Sequence, residues 1–131
     1  MVRAMREALA RARASHADVG YVNAHGTATP QNDRIEGRAI VDVFGEGRVL
    51  VSATKSMIGH TMAAAGSLEA VATILALVND VVPPTANHET PDPEIAFDCV
   101  PKLARDAPLD VAISNSFGFG GQNVTLVLSK P

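Results

Sequence analysis

The sequence is poor in several informative kinds of residue, and each shortage excludes a class of protein. One cysteine, Cys99, among 131 residues excludes an internal disulfide and is typical of a reducing, cytoplasmic setting. Aromatic residues make up 4% of the chain and the net charge is −3, so no basic surface interleaved with aromatics is available for a nucleic acid. A hydrophobic fraction of 47% against 19% charged excludes a disordered chain.

Long apolar runs are also missing. The N-terminus carries Arg3 and Arg6 with no apolar block behind them, unlike a secretory signal. The most apolar stretch, residues 62–78, contains Gly66 and Glu69 and is shorter than the roughly 20 residues of a bilayer span. We therefore predict a buried helix there, and no membrane partner.

Short apolar segments predict the strands of one sheet, with helical patterns between them. One segment beside a proline-rich loop is predicted to be an edge strand. The segments cover residues 19–24, 49–52, 95–100 (the edge strand), 109–114 and 124–129. Strands alternating with helices favour an α/β fold, a mixed β-sheet flanked by helices, with residues 1–131 as one domain.

Three main helices are predicted. The first carries an apolar stripe at the N-terminus of the chain. Asn32 or Asp33 is predicted to cap the second helix, and Ser67 the third. The apolar faces predicted for these three helices are Val2, Met5, Leu9 and Ala12; Ile35, Ala39, Ile40, Val43 and Phe44; and Leu68, Val71, Ile74, Leu75 and Val78.

Three loops of small and polar residues follow predicted strands, where open α/β sheets place their sites. If the sheet gathers them, the site contains the imidazoles of His25 and His60, the ammonium of Lys55 and glycine backbone donors. Neutral imidazoles and backbone N–H groups stabilise an oxygen that becomes negative, and a nearby ammonium keeps imidazoles neutral. The set suits chemistry that creates an enolate or a tetrahedral alkoxide. The loops read NAHGTATP (23–30), SATKSMIGH (52–60) and NSFGFGGQN (115–123).

Two other kinds of site are excluded by spacing. The glycine turn at 118–123 lacks the third glycine of a dinucleotide-binding fingerprint, and a strand follows it where that fingerprint needs a helix. His88 and Glu89 begin a zinc-binding pattern, but Asp92 stands where its second histidine belongs. We therefore expect neither a nucleotide cofactor nor a metal.

The strings NAHGTATPQND, SATKSMIGH and NSFGFGG, in that order and near those spacings, resemble the C-terminal half of β-ketoacyl-acyl-carrier-protein synthases. The resemblance extends over essentially the whole chain, including VVPPTAN and PDPE, and is nearest to the elongating enzymes of type II synthesis. It implies half of a thiolase-like layered fold. It also implies decarboxylative Claisen condensation of malonyl-acyl-carrier protein with an acyl thioester, in fatty acid or polyketide biosynthesis. No cofactor is implied, because the acyl groups travel on the phosphopantetheine arm of the acyl carrier protein.

The resemblance assigns catalytic roles to three residues and a supporting role to Glu69. His25 and His60 correspond to the two histidines that assist decarboxylation of the malonyl group and stabilise the resulting enolate. Lys55 corresponds to the lysine that organises the second histidine electrostatically. Glu69 corresponds to an acidic residue that holds this lysine.

Four further residues receive supporting roles from the resemblance. Thr27 and Thr29 correspond to hydroxyls that bind the phosphopantetheine arm. The backbone N–H of Phe119 corresponds to an oxyanion-hole donor, and its ring to the gate of the acyl pocket. Asn115 corresponds to a position that supports the glycine turn.

The chain departs from the family in two respects. The family nucleophile is a cysteine at the head of a helix in the N-terminal half, and Cys99 matches neither that position nor its surroundings. Gln122 stands where relatives often have threonine or histidine. Met1 falls inside what would be a longer family chain, so we expect a fragment, a truncated product or one half of a split enzyme, inactive alone.

Partners follow from the same resemblance. It implies acyl carrier protein, an N-terminal ketosynthase half or second subunit, and a dimeric parent enzyme. Two other interpretations stay open: a non-catalytic partner subunit, which the missing nucleophile favours and the two retained histidines oppose, and a fragment without independent function. A fragment of this kind would expose a large apolar face.

Overall fold

The computed structural model describes residues 1–131 and contains a five-stranded mixed sheet. Its strand order is β4-β2-β1-β6-β7, with β4, β2, β1 and β6 parallel and β7 antiparallel to β6. The strands, with β3 and β5 forming a separate antiparallel ribbon, are β1 Val19–Asn23, β2 Leu50–Ser52, β3 Val81–Val82, β4 Asp98–Cys99, β5 Arg105–Asp106, β6 Val111–Phe117 and β7 Asn123–Ser129. The predicted mixed sheet and the edge position of the strand near Cys99 are confirmed, whereas the ribbon was not predicted.

Helices flank both faces of this sheet. They are α1 Val2–Ala12, α2 Pro30–Phe44, the short α3 Lys55–Ile58 and α4 Ala65–Asn79. On one face, Met5 of α1 and Ile40 of α2 pack in a core with Val22. On the other face, Leu77 of α4 packs in a second core with Tyr21. The two cores confirm the predicted layering of helices over a sheet.

Helix α2 begins earlier than predicted. It starts at Pro30, so Asn32 and Asp33 lie inside its first turn and do not cap it. Proline is favoured there because the N–H group it lacks would have no partner. The helix ends before Gly45, whose φ of 87° few other residues adopt.

The buried face of α2 also differs from the prediction. Ile35 is 48% exposed, whereas Glu36 is 2% exposed. Ala39, Ile40 and Phe44 are buried as predicted. Glu36 shares their side of the helix because it lies four residues before Ile40. The reason that a carboxylate is buried here lies in the hydrogen bonds it accepts from the adjacent loop, described below.

The predicted burial of the apolar face of α4 is wrong. The helix begins at Ala65, so Ser67 lies inside it, and its sheet side carries Glu69, Thr73, Ala76 and Leu77. Because α4 is apolar on most sides, periodicity does not identify the side that faces the sheet. The exposed apolar residues, between 43% and 68% exposed, are Leu68, Val71, Ile74, Leu75 and Val78.

By length and composition alone, the segment Met62–Asn79 would suit a membrane span. Core helices of layered proteins satisfy the same two criteria, and the sheet side of this one carries the carboxylate of Glu69, paired with a lysine. A buried ion pair on this side indicates that the helix packs against a layer of the same protein. The exposed apolar surface therefore needs another explanation, which is developed below.

Candidate active site

The sheet brings the three predicted loops together at the carboxyl ends of its parallel strands. Strand β1 lies between β2 and β6, parallel to both, and Asn23 pairs with Ser52 on one side and Ser114 on the other. The segments that follow these strands therefore leave the sheet at neighbouring points. A Cβ added at Gly26, whose φ is 44°, would lie 2.5 Å from the Cβ of Ala53, so the first two loops touch. Glycine is required there because no side chain fits.

His25, His60 and Lys55 meet at this end of the sheet. The ring centroids of His25 and His60 are 5.8 Å apart with an interplanar angle of 88°. The Nζ atom of Lys55 lies 3.4 Å from Nδ1 of His25. The ring of Phe117, at the end of β6, lies 6.0 Å from that of His25 and covers one side of it. The predicted convergence of two imidazoles and one ammonium is what the structure shows.

Lys55 is anchored by Glu69 from α4. The two form a close ion pair in which both side chains are almost completely buried. Burial raises the pKa of Glu69, and the contact with Lys55 opposes that rise. The second carboxylate oxygen, Oε2, is buried without a protein partner. Lys55 therefore has a fixed position between a carboxylate and an imidazole.

Both imidazoles have their Nδ1 atom in a polar contact. Desolvation, followed by the charges of Lys55 and His60, lowers the pKa of His25 to about 4, so its ring is neutral at pH 7. An ammonium has only donors, so Nδ1 of His25 carries the lone pair and Nε2 carries the proton. Nδ1 of His60 accepts the backbone N–H of Met62 at 3.2 Å, which places the proton of a neutral His60 on Nε2 as well. The site thus offers two imidazole N–H donors.

Glu36 is a residue of this site that the sequence analysis missed. Its carboxylate accepts the backbone N–H of His25 at 2.8 Å and that of Gly26 at 2.9 Å. Asn32 donates to it at 3.2 Å. Desolvation raises the pKa of Glu36, and these hydrogen bonds oppose the rise. The helical spacing of Glu36, Ile40 and Phe44 was the available signal, because it places an acid on a buried face.

Asn115 supports the first loop through Glu36. Its Nδ2 donates to Glu36 Oε1 at 3.4 Å, and its Oδ1 accepts the hydroxyl of Thr125 at 2.8 Å. Its side chain makes no hydrogen bond to the glycine turn at 118–121, and its assigned support of that turn stays a prediction. Asn23 plays the corresponding part on the other side of the sheet, because its amide donates to Thr73 and its oxygen accepts from Thr54.

Comparisons with known proteins show the family to which this chain belongs. Residues 1–89 match the family model described as "Beta-ketoacyl synthase, C-terminal domain". The chain belongs to this family. It is 54% identical over 114 residues, 86% of its length, to 3-oxoacyl-acyl-carrier-protein synthase 2 of Synechocystis sp., and covers 27% of that relative.

Two solved structures extend the likeness to nearly the whole chain. The ishigamide ketosynthase/chain length factor matches 99% of this chain with a TM-score of 0.97 and 40% identity. A type II polyketide ketosynthase in complex with its acyl-carrier protein, AntDE:AntF, matches 99% with a TM-score of 0.95 and 37% identity. The chain covers 32% of each, so it spans about a third of the ketosynthases it matches. Its fold is that of the C-terminal part of a thiolase-like ketosynthase.

Three predicted site residues of this β-ketoacyl synthase domain remain, and they lie at the rim of the site: Thr27, Thr29 and Phe119. The hydroxyls of Thr27 and Thr29 are 2.9 Å apart, immediately before α2. Phe119, in the glycine turn, is fully exposed. Gly120 and Gly121 both have φ near 80°, which gives this turn a backbone that few other residues adopt. The two threonine hydroxyls make no hydrogen bond to the imidazoles, and the Phe119 ring does not stack on them.

A cleft of about 990 Å³ opens beside the ketosynthase site. It is lined by Thr27, Lys55 and His60 and extends inward to Cys99 on the edge strand β4. The thiol of Cys99 lies 3.4 Å from the hydroxyl of Thr85, and burial raises its pKa. Cys99 is therefore a half-buried neutral thiol and has none of the features of an activated nucleophile.

Proposed function

We propose that this chain is the decarboxylating half of a β-ketoacyl synthase that acts in the cytoplasm. The observation that carries the proposal is the pair of neighbouring imidazoles, His25 and His60, each with Nδ1 in a polar contact so that Nε2 can carry the proton, beside the buried ammonium of Lys55. Donors arranged in advance around one point stabilise negative charge on an oxygen without reorganisation. A malonyl thioester develops such a charge when it loses carbon dioxide.

The proposed reaction uses these donors in its decarboxylation step. The bond between the malonyl carboxylate and the α-carbon breaks, carbon dioxide leaves, and the electron pair forms an enolate whose oxygen accepts hydrogen bonds from His25 and His60. The α-carbon then attacks the carbonyl carbon of an acyl group held as a cysteine thioester. The carbon–sulfur bond to that cysteine breaks, and a β-ketoacyl thioester remains on the carrier. Desolvation keeps His25 neutral, and Lys55 adds to this effect because a second positive charge beside it is unfavourable.

The malonyl group arrives on the phosphopantetheine arm of an acyl carrier protein. The hydroxyls of Thr27 and Thr29, paired at the rim of the site, are suited to its amide groups. The solved relative AntDE:AntF was captured as a ketosynthase with its acyl-carrier protein, which supports this class of partner. The backbone N–H of Phe119 is assigned to the oxyanion of the condensation step, with its ring as gate to the acyl pocket. No resident cofactor or metal takes part.

The nucleophilic cysteine is supplied by another segment or subunit. Cys99 is neither activated nor paired with an imidazole. The exposed apolar face of α4 supports a missing partner, because a contiguous patch of five large apolar residues marks an interface. We assign this face to an N-terminal ketosynthase half, and we expect the isolated chain to be inactive in condensation and the complete enzyme to be a dimer.

A non-catalytic partner subunit is the second candidate. A ketosynthase/chain length factor is among the solved relatives, which makes such a subunit relevant. The retained pair of imidazoles and the buried Lys55–Glu69 pair count against it, because a purely structural subunit has no need for them. The two roles differ in one measurable respect, namely whether His25 and His60 are needed for product formation.

Reconstitution tests the proposal. The chain is mixed with the cysteine-bearing N-terminal half of a close relative, and release of carbon dioxide from malonyl-acyl-carrier protein is measured. We expect His25→Ala and His60→Ala each to lower the rate by about 100-fold or more. His16→Ala, at an exposed histidine of the loop before β1, is the matched control and should leave the rate unchanged. An undiminished rate in His25→Ala would show that the mechanism is wrong.

A further inference from the structure

A distant segment is tied to the loop that carries Lys55. Thr85 and Ala86 belong to the proline-rich connection between β3 and β4, and they lie against residues 53–56. The hydroxyl of Thr85 accepts the backbone N–H of Ala53 at 3.0 Å. The backbone N–H of Ala86 donates to Oγ of Ser56 at 2.8 Å, and Ser56 Oγ donates to the carbonyl of Ala53 at 2.7 Å. These three hydrogen bonds join Thr85 and Ala86 to Ala53 and Ser56, and we call them the brace.

The brace is fixed to the sheet and makes no hydrogen bond to His25, His60 or Glu69. The backbone N–H of Thr85 donates to Val100 at 2.8 Å, and its carbonyl accepts the N–H of Lys102 at 3.1 Å. Val100 in turn donates to Val51 in the neighbouring strand β2 at 2.9 Å. These bonds attach Thr85 to the edge of the five-stranded sheet, so it is a rigid support for the loop it touches.

The loop itself has little intrinsic stability. Lys55 is the first residue of α3, a helix of four residues, which is far shorter than a helix that persists unaided. The long lysine side chain must still place its ammonium 3.4 Å from His25 and against Glu69. Ala53 and Ser56, the two braced residues, flank Thr54 and Lys55 directly. The position of the ammonium therefore depends on bonds made outside the site.

We infer that Thr85 and Ser56 are positioning residues that act through the 53–56 turn to hold the Lys55 ammonium between Glu69 and His25. The catalytic consequence rests on the proposed function, while the brace is a property of the chain alone. This positioning acts on the decarboxylation step, since Lys55 contacts the imidazole of His25.

The titration of the His25 ring tests this inference in the 131-residue chain. Histidine ring resonances are followed by NMR from pH 3 to 8, and His25→Asn identifies the signal. We expect Thr85→Val to move the midpoint of His25 upward from about 4 by about 0.5 pH unit, since Lys55 contributes to its lowering. Ser56→Ala should move it in the same direction. Thr85→Ser keeps the hydroxyl and should leave it in place, as should the exposed control Thr90→Val.

A second pair of variants separates positioning from general loosening. In a Lys55→Met background, Thr85→Val should cause no further shift, because the charge that it displaces is already absent. If Thr85→Val shifts the His25 midpoint by the same amount in the Lys55→Met background, the shift arises from greater exposure of His25 to solvent and not from a displaced Lys55 charge. That result would overturn the inference. So would an unmoved His25 midpoint in Thr85→Val and Ser56→Ala chains that stay folded by circular dichroism. If Thr85→Val does not fold, Ser56→Ala alone decides by the same criterion.

Activity distinguishes the failure of this inference from the failure of the proposed function. In the reconstituted enzyme, Thr85→Val should lower kcat for decarboxylation about 10-fold with KM unchanged, because a misplaced charge affects the reacting geometry and not the binding of the carrier. A shifted His25 midpoint in a chain whose wild type does not decarboxylate would refute the enzymatic role and leave the brace standing. Full decarboxylation in Thr85→Val with an unshifted midpoint would refute the brace alone.

Discussion

The buried Lys55–Glu69 pair leads to a quantitative prediction about stability. Both side chains are almost fully buried, so removing one partner leaves the other charge in a poorly solvated site. Breaking a buried pair in this way costs about 3–5 kcal/mol. A chain of this length has a total stability of roughly 7–20 kcal/mol, so the loss is a substantial fraction of it. Lys55→Met should therefore lower the free energy of unfolding by that amount at pH 7.

A double variant isolates the pair. In Lys55→Met/Glu69→Gln both charges are gone, so the loss should be smaller than the sum of the two single losses by at least about 2 kcal/mol. Urea unfolding followed by circular dichroism measures all three chains. The exposed pair of Arg3 and Glu7, 3.5 Å apart on one face of α1, is the control, and Arg3→Met should cost at most about 0.5 kcal/mol.

The pH dependence of the free energy of unfolding gives an independent check of the Lys55–Glu69 pair. The folded pKa of Glu69 lies above its ordinary value, so its contribution to stability is present at low pH and is lost as the pH rises through that pKa. Without Lys55 the folded pKa rises further, and the unfolding free energy of Lys55→Met should increase as the pH falls from 7 to 5. A loss below about 1 kcal/mol at pH 7, or strict additivity in the double variant, would refute the electrostatic account of this pair.

Three other predictions follow from the site and the exposed helix. Glu36→Gln leaves one of two buried N–H groups without an acceptor, so it should lower the unfolding free energy by about 1–3 kcal/mol and speed amide hydrogen exchange at His25. Because the pKa of His25 is lowered to about 4 in the folded chain, the unfolded chain binds a proton at this histidine at a higher pH than the folded chain does. The free energy of unfolding of the wild type should therefore fall as the pH is lowered from 6.5 to 4. This decrease should be smaller in His25→Asn, which lacks the titrating group. Replacing Val71 and Leu75 by lysine should reduce binding of a hydrophobic dye and self-association seen by size exclusion, whereas Leu77→Ala, in the core, should destabilise the chain by about 2–5 kcal/mol without that gain.

Features that depend on local pattern were predictable from the sequence. Helix α1 has a stripe at Met5 and Leu9 among arginines, and it packs as that stripe indicates. Strands β1 and β2 are short apolar runs that precede polar loops, and their parallel pairing brings His25 and Lys55, which follow them, to the same end of the sheet. The predictions of these elements used residues that are close together in the sequence. The convergence of the site was predicted only on the condition that the sheet gathers the three loops, which depends on the order of its strands.

Features that depend on distant partners were not predictable in this way. The buried side of α4 was misassigned because its small and polar residues, such as Ala76 and Thr73, fit against the sheet, while the larger Leu75 faces outward. Glu36 was missed because its burial depends on N–H groups eleven residues earlier in a loop. Strands β3 and β5, of two residues each, are too short to leave a periodic signal. The contact of Thr85 with the Lys55 loop joins segments with no shared pattern.

The central position of β1 has a consequence for the synthesis of the protein. One neighbour of β1 in the sheet is β2, but the other is β6, where Val22 meets Ile113 about 90 positions further along the chain. A ribosome must therefore deliver most of the polypeptide before the middle of the sheet can close. Until then, one hydrogen-bonding edge of β1 is open, and wide sequence separation of this kind makes folding slow. Chaperone dependence during expression should consequently be set by the arrival of β6, since the nascent chain before that point has an unsatisfied strand at its centre.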